Sequence, residues 1–113
     1  MKIYLACPYS DPDQSVREAR FREANRAAAI FMNDGHIIFS PISHSHPIAS
    51  QNELPKGYDF WKTMDESFIE WCDEVWVLKM PGWDKSEGVA RECIFADMLG
   101  KKVRLKKWTI RNS

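Results

Sequence analysis

No charge of either sign predominates in this sequence of 113 residues: sixteen Lys and Arg are balanced by sixteen Asp and Glu. That balance favours neither a nucleic-acid polymer nor an anionic membrane surface as partner. Cysteine is scarce as well. Cys7, Cys72 and Cys93 are odd in number and scattered, matching neither a zinc spacing nor a disulfide framework. A reducing, cytoplasmic setting is expected. No apolar run approaches the roughly 18 residues of a membrane span, and the opening residues do not read as a signal peptide. Repeats, low-complexity tracts and linkers are missing too. What is present suits one domain over residues 1–113, with a single core and no separate lid. The 44% hydrophobic and 12% aromatic content places it among folded globular chains.

Lys2-Ile3-Tyr4-Leu5-Ala6-Cys7, ended by Pro8, reads as a central strand buried on both faces. From about Ser15 to Asp34 the pattern is helical, with Val16, Ala19, Ala24, Ala27, Ala28 and Phe31 as its apolar stripe and Gly35 as its stop. His36-Ile37-Ile38-Phe39 is a second strand, completing a strand–helix–strand unit within 40 residues. Ser40 to Gly57, with three prolines, reads as a long functional loop. Tyr58 to Trp71 is helical, Glu74 to Leu78 a strand, Ser86 to Leu99 a helix, and Val103-Arg104-Leu105 a last strand. Such alternation implies a parallel sheet covered on both faces, with ligands bound beyond the strands' carboxyl ends. The basic stretch Lys101, Lys102, Arg104, Lys106, Lys107 and Arg111 reads as a solvated edge strand and tail.

The most informative segment runs from Asp73 through Ser86-Glu87-Gly88-Val89-Ala90-Arg91-Glu92. A helix entrance attracts anions through its free N–H groups and dipole, and a serine there can bond a phosphate. Glu92 lies two turns further along, roughly 9 Å by rise alone, about the distance from a nucleotide's 5′-phosphate to the far side of its sugar. It borders the face of Val89, Cys93 and Ala96, and is either a nucleophile toward an anomeric carbon or a helix glutamate paired with Lys85 or Arg91. Asp65 sits mid-helix among apolar residues. It is either a solvated helix aspartate or the group that protonates a departing base. Asp84 and Glu87 match a capping box with Asp84 as N-cap, and Gly88 allows close approach to the backbone. His44 and His46 form a weak zinc-like pair; substrate contacts or ordinary loop hydrogen bonds are the other readings. Tyr4 and Tyr9 are candidates for stacking on a base, with core packing as the bland alternative for Tyr4.

On these residues the chain resembles the nucleoside 2-deoxyribosyltransferase superfamily, including its nucleoside 5′-monophosphate N-glycosidase branch. Ile3-Tyr4-Leu5-Ala6 is similar to that family's first strand, in which a tyrosine contacts substrate. Asp65, eight residues ahead of Asp73, matches the aspartate that engages the nucleobase. Ser86 to Glu92 is similar to Ser-x-Gly-Val-x-x-Glu, whose glutamate is the nucleophile and whose serine, in the monophosphate branch, binds phosphate. Ala96 and Gly100-Lys101-Lys102-Val103 match the small helix residue and the entry to the next strand. The loop Pro8-Tyr9-Ser10-Asp11-Pro12 departs from that branch's glycine-rich, arginine-bearing loop, with Arg17 or Arg20 as candidate replacements. The stretch from Gly35 through His44-Ser45-His46-Pro47 resembles a small bacterial and phage family of unknown function within the superfamily.

The resemblance implies a flavodoxin-like, three-layer α/β sandwich with a mainly parallel sheet of four to five strands, assembling as a homodimer or higher homo-oligomer. It implies cleavage, or base exchange, of the N-glycosidic bond of a nucleoside 5′-monophosphate, a deoxynucleotide in the favoured case. Glu92 and Asp65 would be catalytic, and Tyr4, Ser86, Gly88, Tyr9, His44 and His46 would bind substrate. No metal or organic cofactor is called for. The rival expectation is a non-catalytic nucleotide sensor of the same fold.

Overall fold

The computed structural model describes residues 1–55 and 57–110. In chain order the elements are β1 (Lys2–Ala6), α1 (Gln14–Asn33), β2 (Ile37–Phe39), α2 (Pro41–Asn52), α3 (Tyr58–Trp71), β3 (Glu74–Lys79), α4 (Glu87–Met98) and β4 (Lys102–Lys107), with a 3-10 turn at Trp83–Lys85 before α4. The four strands are all parallel, in the order β2–β1–β3–β4. Tyr4 stands opposite Val75 in β3, and Val75 opposite Val103 in β4.

Alternation along the two central strands divides the core into two layers. Ile3, Leu5 and Cys7 of β1 and its exit, with Trp76, Leu78 and Met80 of β3 and its exit, pack against Ala24, Ala27 and Ala28 of α1. Tyr4 and Ala6, with Val75 and Val77, pack on the other face against Ile69 of α3 and against Val89 and Ala96 of α4. This period of two sends Tyr4 toward α4 and leaves α1 on the far side of the sheet.

Helix ends follow side-chain chemistry. Asp13 caps α1, its carboxylate accepting from the Ser15 N–H at 2.8 Å. Gly35 turns the chain out of α1 at φ +98°, a conformation that favours glycine. The Lys101 ammonium donates to the Glu70 carbonyl at 2.7 Å and also to the Cys72 carbonyl, holding the end of α3 against the start of β4.

Three local expectations are corrected. The segment read from its prolines as a loop, Ser40 to Gly57, contains α2 instead. Pro41 occupies the first helical position, where a missing N–H costs nothing. Pro47 lies inside the helix and withdraws the N–H that Ser43 would accept. Packing of Ile42 and His46, four residues apart on one buried face, sustains the helix despite that loss. Next, Ser86 rather than Asp84 is the N-cap of α4, since Asp84 is taken up in the 3-10 turn. Finally, β4 extends from Lys102 to Lys107, six residues rather than three. As a sheet edge, β4 carries Lys102, Arg104 and Lys107 exposed; Lys106 sits over the Trp76 ring at 3.9 Å. Arg111 lies outside the described residues.

Candidate active site

At the carboxyl ends of the strands lies a cavity of about 700 Å3. Cys7, Tyr9 and Ser10 reach it from the exit of β1, and Pro41, Ile42 and Ser45 from α2. The opposite wall is α3, where Tyr58, Trp61, Lys62, Asp65, Glu66 and Ile69 recur at helical spacing along one stripe. Lys85, Ser86, Gly88, Arg91 and Glu92 close it from the start of α4.

Glu92 is fixed by the same packing that seats α4. It stands three residues after Val89 and four before Ala96, both buried against the sheet, so its side chain is directed inward. Below it is Tyr4, fully buried in β1, whose hydroxyl donates to Glu92 Oε2. Burial raises the Glu92 carboxyl to about 8; the Tyr4 bond pulls it down and the charge of Asp65 pushes it up. Asp65, four residues before the buried Ile69, is raised to about 6 by burial. Burial, with Glu92 and Asp65 beside it, also holds the Tyr4 phenol well above its usual range, so Tyr4 remains a donor. Both carboxyls thus hold protons more tightly than free carboxyls do, and the charge of Asp65 opposes that of Glu92, so the two titrate as a pair.

Ser86 closes the N-terminus of α4 by accepting the Val89 N–H on its Oγ at 3.2 Å. Capping uses the oxygen as acceptor only, and the hydroxyl proton stays free to donate into the cavity. A Cβ added at Gly88 would meet nothing closer than Ser86 Oγ at 3.8 Å. No neighbouring atom requires a glycine there, and the space beside the first turn stands open. Across the mouth, the Arg91 guanidinium lies 4.0 Å from the Tyr58 ring centre and 3.4 Å from Glu87.

The structure thus brings together Glu92, Asp65, Ser86, Gly88 and Tyr9 around one cavity, with Tyr4 directly behind Glu92. Neither histidine lines it. His44 is exposed, 5.8 Å from the Phe39 ring and 3.3 Å from Ser45 Oγ, while His46 is buried behind Tyr9. Arg17 and Arg20 tie down the loop after β1: Arg17 donates to the Asp11 carbonyl, and Arg20 to the carbonyls of Ser10 at 3.0 Å and Tyr9 at 3.3 Å. Trp61, Lys62, Glu66 and Arg91 escaped the sequence reading as site residues. For the three on α3 the signal was available, because positions 58, 61, 62, 65, 66 and 69 follow helical spacing from Asp65. Among the described residues no three His, Cys, Asp or Glu side chains cluster as a metal ion would require, and no helix is long and apolar enough to cross a membrane.

A family model described as a domain of unknown function, DUF1937, matches residues 1–107. The chain belongs to the DUF1937 family. Among curated proteins, no sequence matches it. The DUF1937 chain is similar in structure to the 2-deoxyribosyltransferase of the psychrotolerant bacterium Bacillus psychrosaccharolyticus, a biocatalyst for nucleoside synthesis. The TM-score is 0.64 at 26% identity, covering 99% of this chain and 77% of that one. It is also similar in fold to the 2-deoxyribosyltransferase from Leishmania mexicana, with a TM-score of 0.59 at 20% identity, covering 97% of this chain and 66% of the other. DUF1937 here has the flavodoxin-like architecture of the nucleoside 2-deoxyribosyltransferase superfamily.

Proposed function

We propose that this protein breaks the N-glycosidic bond of a nucleoside 5′-monophosphate, a 2′-deoxynucleotide in the favoured case, passing the sugar to water or to a second base. The observation that carries the reading is the meeting of two carboxyls of raised proton affinity, Glu92 and Asp65, in one cavity at the entrance of a serine-capped helix. The likeness to the Bacillus 2-deoxyribosyltransferase supports glycosyl transfer as the reaction class.

In the first step the Glu92 carboxylate attacks C1′ and the C1′–N bond breaks. Its electron pair goes to the base nitrogen, which takes the proton held by Asp65. The sugar is then an ester on Glu92. Water attacks the same carbon, Asp65 accepts its proton, and the Glu92 carboxylate departs with retained configuration. One shared proton is the number this cycle needs. The cycle needs that proton on Asp65 with Glu92 ionised, and the Tyr4 bond to Glu92 favours this arrangement.

Support for a phosphate comes from the free Ser86 hydroxyl, the helix N-terminus that it caps and the open space at Gly88. Lys62, Lys85 and Arg91 are the cations on the same walls, beside Glu66 and Glu87, with Arg91 paired to Glu87.

Free-base release from a panel of nucleosides and nucleoside 5′-monophosphates, followed by chromatography with wild type and Glu92→Gln in parallel, tests the proposal. Base released from monophosphates by wild type alone is the expected outcome. A folded wild-type protein that binds a panel member and releases nothing would replace this reading with a nucleotide sensor.

A further inference from the structure

His46 belongs to the motif His44-Ser45-His46-Pro47 and takes no part in the reaction above, yet it is only 7% exposed. A buried imidazole needs partners for both nitrogens, and here both have one. Nδ1 meets the Tyr9 hydroxyl, and Nε2 lies 3.0 Å from Glu18 Oε1. The Phe21 ring packs against the imidazole with centres 4.4 Å apart. Glu18 and Phe21 come from α1, His46 from α2 and Tyr9 from the exit of β1, so three separate segments converge at this point. Of the four, Tyr9 alone lines the cavity.

Proton counting gives the chain a direction. An ionised carboxylate only accepts, so Nε2 carries the proton and donates to Glu18. In a neutral ring Nδ1 is then an acceptor, and the Tyr9 O–H donates to it. Burial lifts the Tyr9 phenol above its usual value even with Arg17 nearby to lower it, which keeps that proton in place. The hydroxyl has one proton and directs it away from the ligand. Arg17 also donates to the Tyr9 oxygen, so toward the cavity Tyr9 can offer its ring and the remaining lone pair, and no donor.

We propose that His46 is a positioning residue: backed by Glu18, it holds Tyr9 as a fixed cavity wall that gives the ligand an aromatic surface and an acceptor, but no donor. This depends on the nucleotide reading for the choice of ligand and not for the hydrogen-bonded chain itself.

With three histidines in the sequence, imidazole 15N spectra resolve His46 without ligand. The expected result is a neutral ring protonated at Nε2. Tyr9→Phe should move the Nδ1 resonance, and Glu18→Gln the Nε2 resonance. A ring protonated at Nδ1, a doubly protonated ring, or an Nδ1 signal indifferent to Tyr9→Phe would overturn the proposal. On any monophosphate turned over by wild type, Tyr9→Phe and His46→Phe should each raise KM about fivefold to tenfold, the scale of one lost hydrogen bond, with kcat within about twofold. The double variant should cost no more than either single change. His46→Asn, whose amide oxygen can take the Tyr9 proton where Nδ1 did, should restore KM. A fall in kcat at unchanged KM, or failure of asparagine to rescue a folded protein, would overturn the positioning role. A silent panel would sink the proposed reaction and leave the spectra to decide the chain.

Discussion

Two tyrosines five positions apart, Tyr4 and Tyr9, each hold a hydroxyl hydrogen bond beside the same cavity, and their partners separate two tasks. Tyr4 sits inside the sheet and donates to a carboxyl that must carry charge during the proposed reaction. Tyr9 sits just past the strand and is hydrogen-bonded to an imidazole that takes no part in the proposed reaction. The first bond acts on the electrostatics of Glu92, the second on the shape of a wall. Substitution at Tyr4 should therefore be felt in pH dependence, and substitution at Tyr9 in affinity.

The largest test of that division is Asp65→Asn. For wild type, kcat/KM should be bell-shaped, rising through about pH 6 and falling through about pH 8, because the active form holds one proton on the Glu92–Asp65 pair. Asp65→Asn removes the proton donor and should lower kcat/KM roughly 100-fold or more. It also removes the charge that pushes Glu92 up, so the falling limb should vanish and a single rising limb, below about 8, should remain. A falling limb that survives the substitution would mean that the pair does not share the proton.

Tyr4→Phe should have a smaller effect in the opposite direction. Without its donor the Glu92 carboxyl climbs further, so the falling limb moves to higher pH while turnover near pH 7 drops about tenfold, the scale of one hydrogen bond to a charged group. Tyr9→Phe should leave both limbs where they are. If the two tyrosine variants shift the profile alike, the division of labour fails.

The smallest effect is on stability. Both carboxyls bind protons more tightly in the folded chain than in the unfolded one, Asp65 at about 6 against 3.8 and Glu92 at about 8 against 4.5. The stability they contribute is therefore complete below the unfolded values and drains as pH rises, through about 6 for Asp65 and about 8 for Glu92. Glu92→Gln, lacking this second loss, should exceed wild type in Tm at pH 9 by roughly 4–8 °C, the shift produced by about 1 kcal/mol in a small domain. Equal Tm values at pH 9 would show that Glu92 ionises without strain.

The same contrast marks what could be read from the sequence. The elements that carry Tyr4, Asp65, Ser86 and Glu92 are a continuous apolar strand and two helices with regular apolar spacing, and local pattern suffices to find them. The helix that carries His46 has prolines at its first position and in its interior, with serines and histidines between. Its stability comes from packing against α1 and β1, which no local pattern reports. The cap of α4 was misplaced for a related reason: Asp84 and Ser86 both satisfy the preferences of an N-cap, and the 3-10 turn at Trp83–Lys85 decides between them. Lys62 was legible from its helical spacing to Asp65 on α3, whereas Arg91 on α4 reaches the cavity through tertiary placement that no local pattern reports.

The fourth strand has one more consequence. β4 pairs with β3 on one side and ends the sheet on the other. Lys102, Arg104 and Lys107 stand exposed along it. Two molecules meeting edge to edge would set rows of like charge against each other at the spacing of paired strands. A basic border of this kind disfavours strand pairing at the β4 edge of a chain that has no net charge to keep its copies apart.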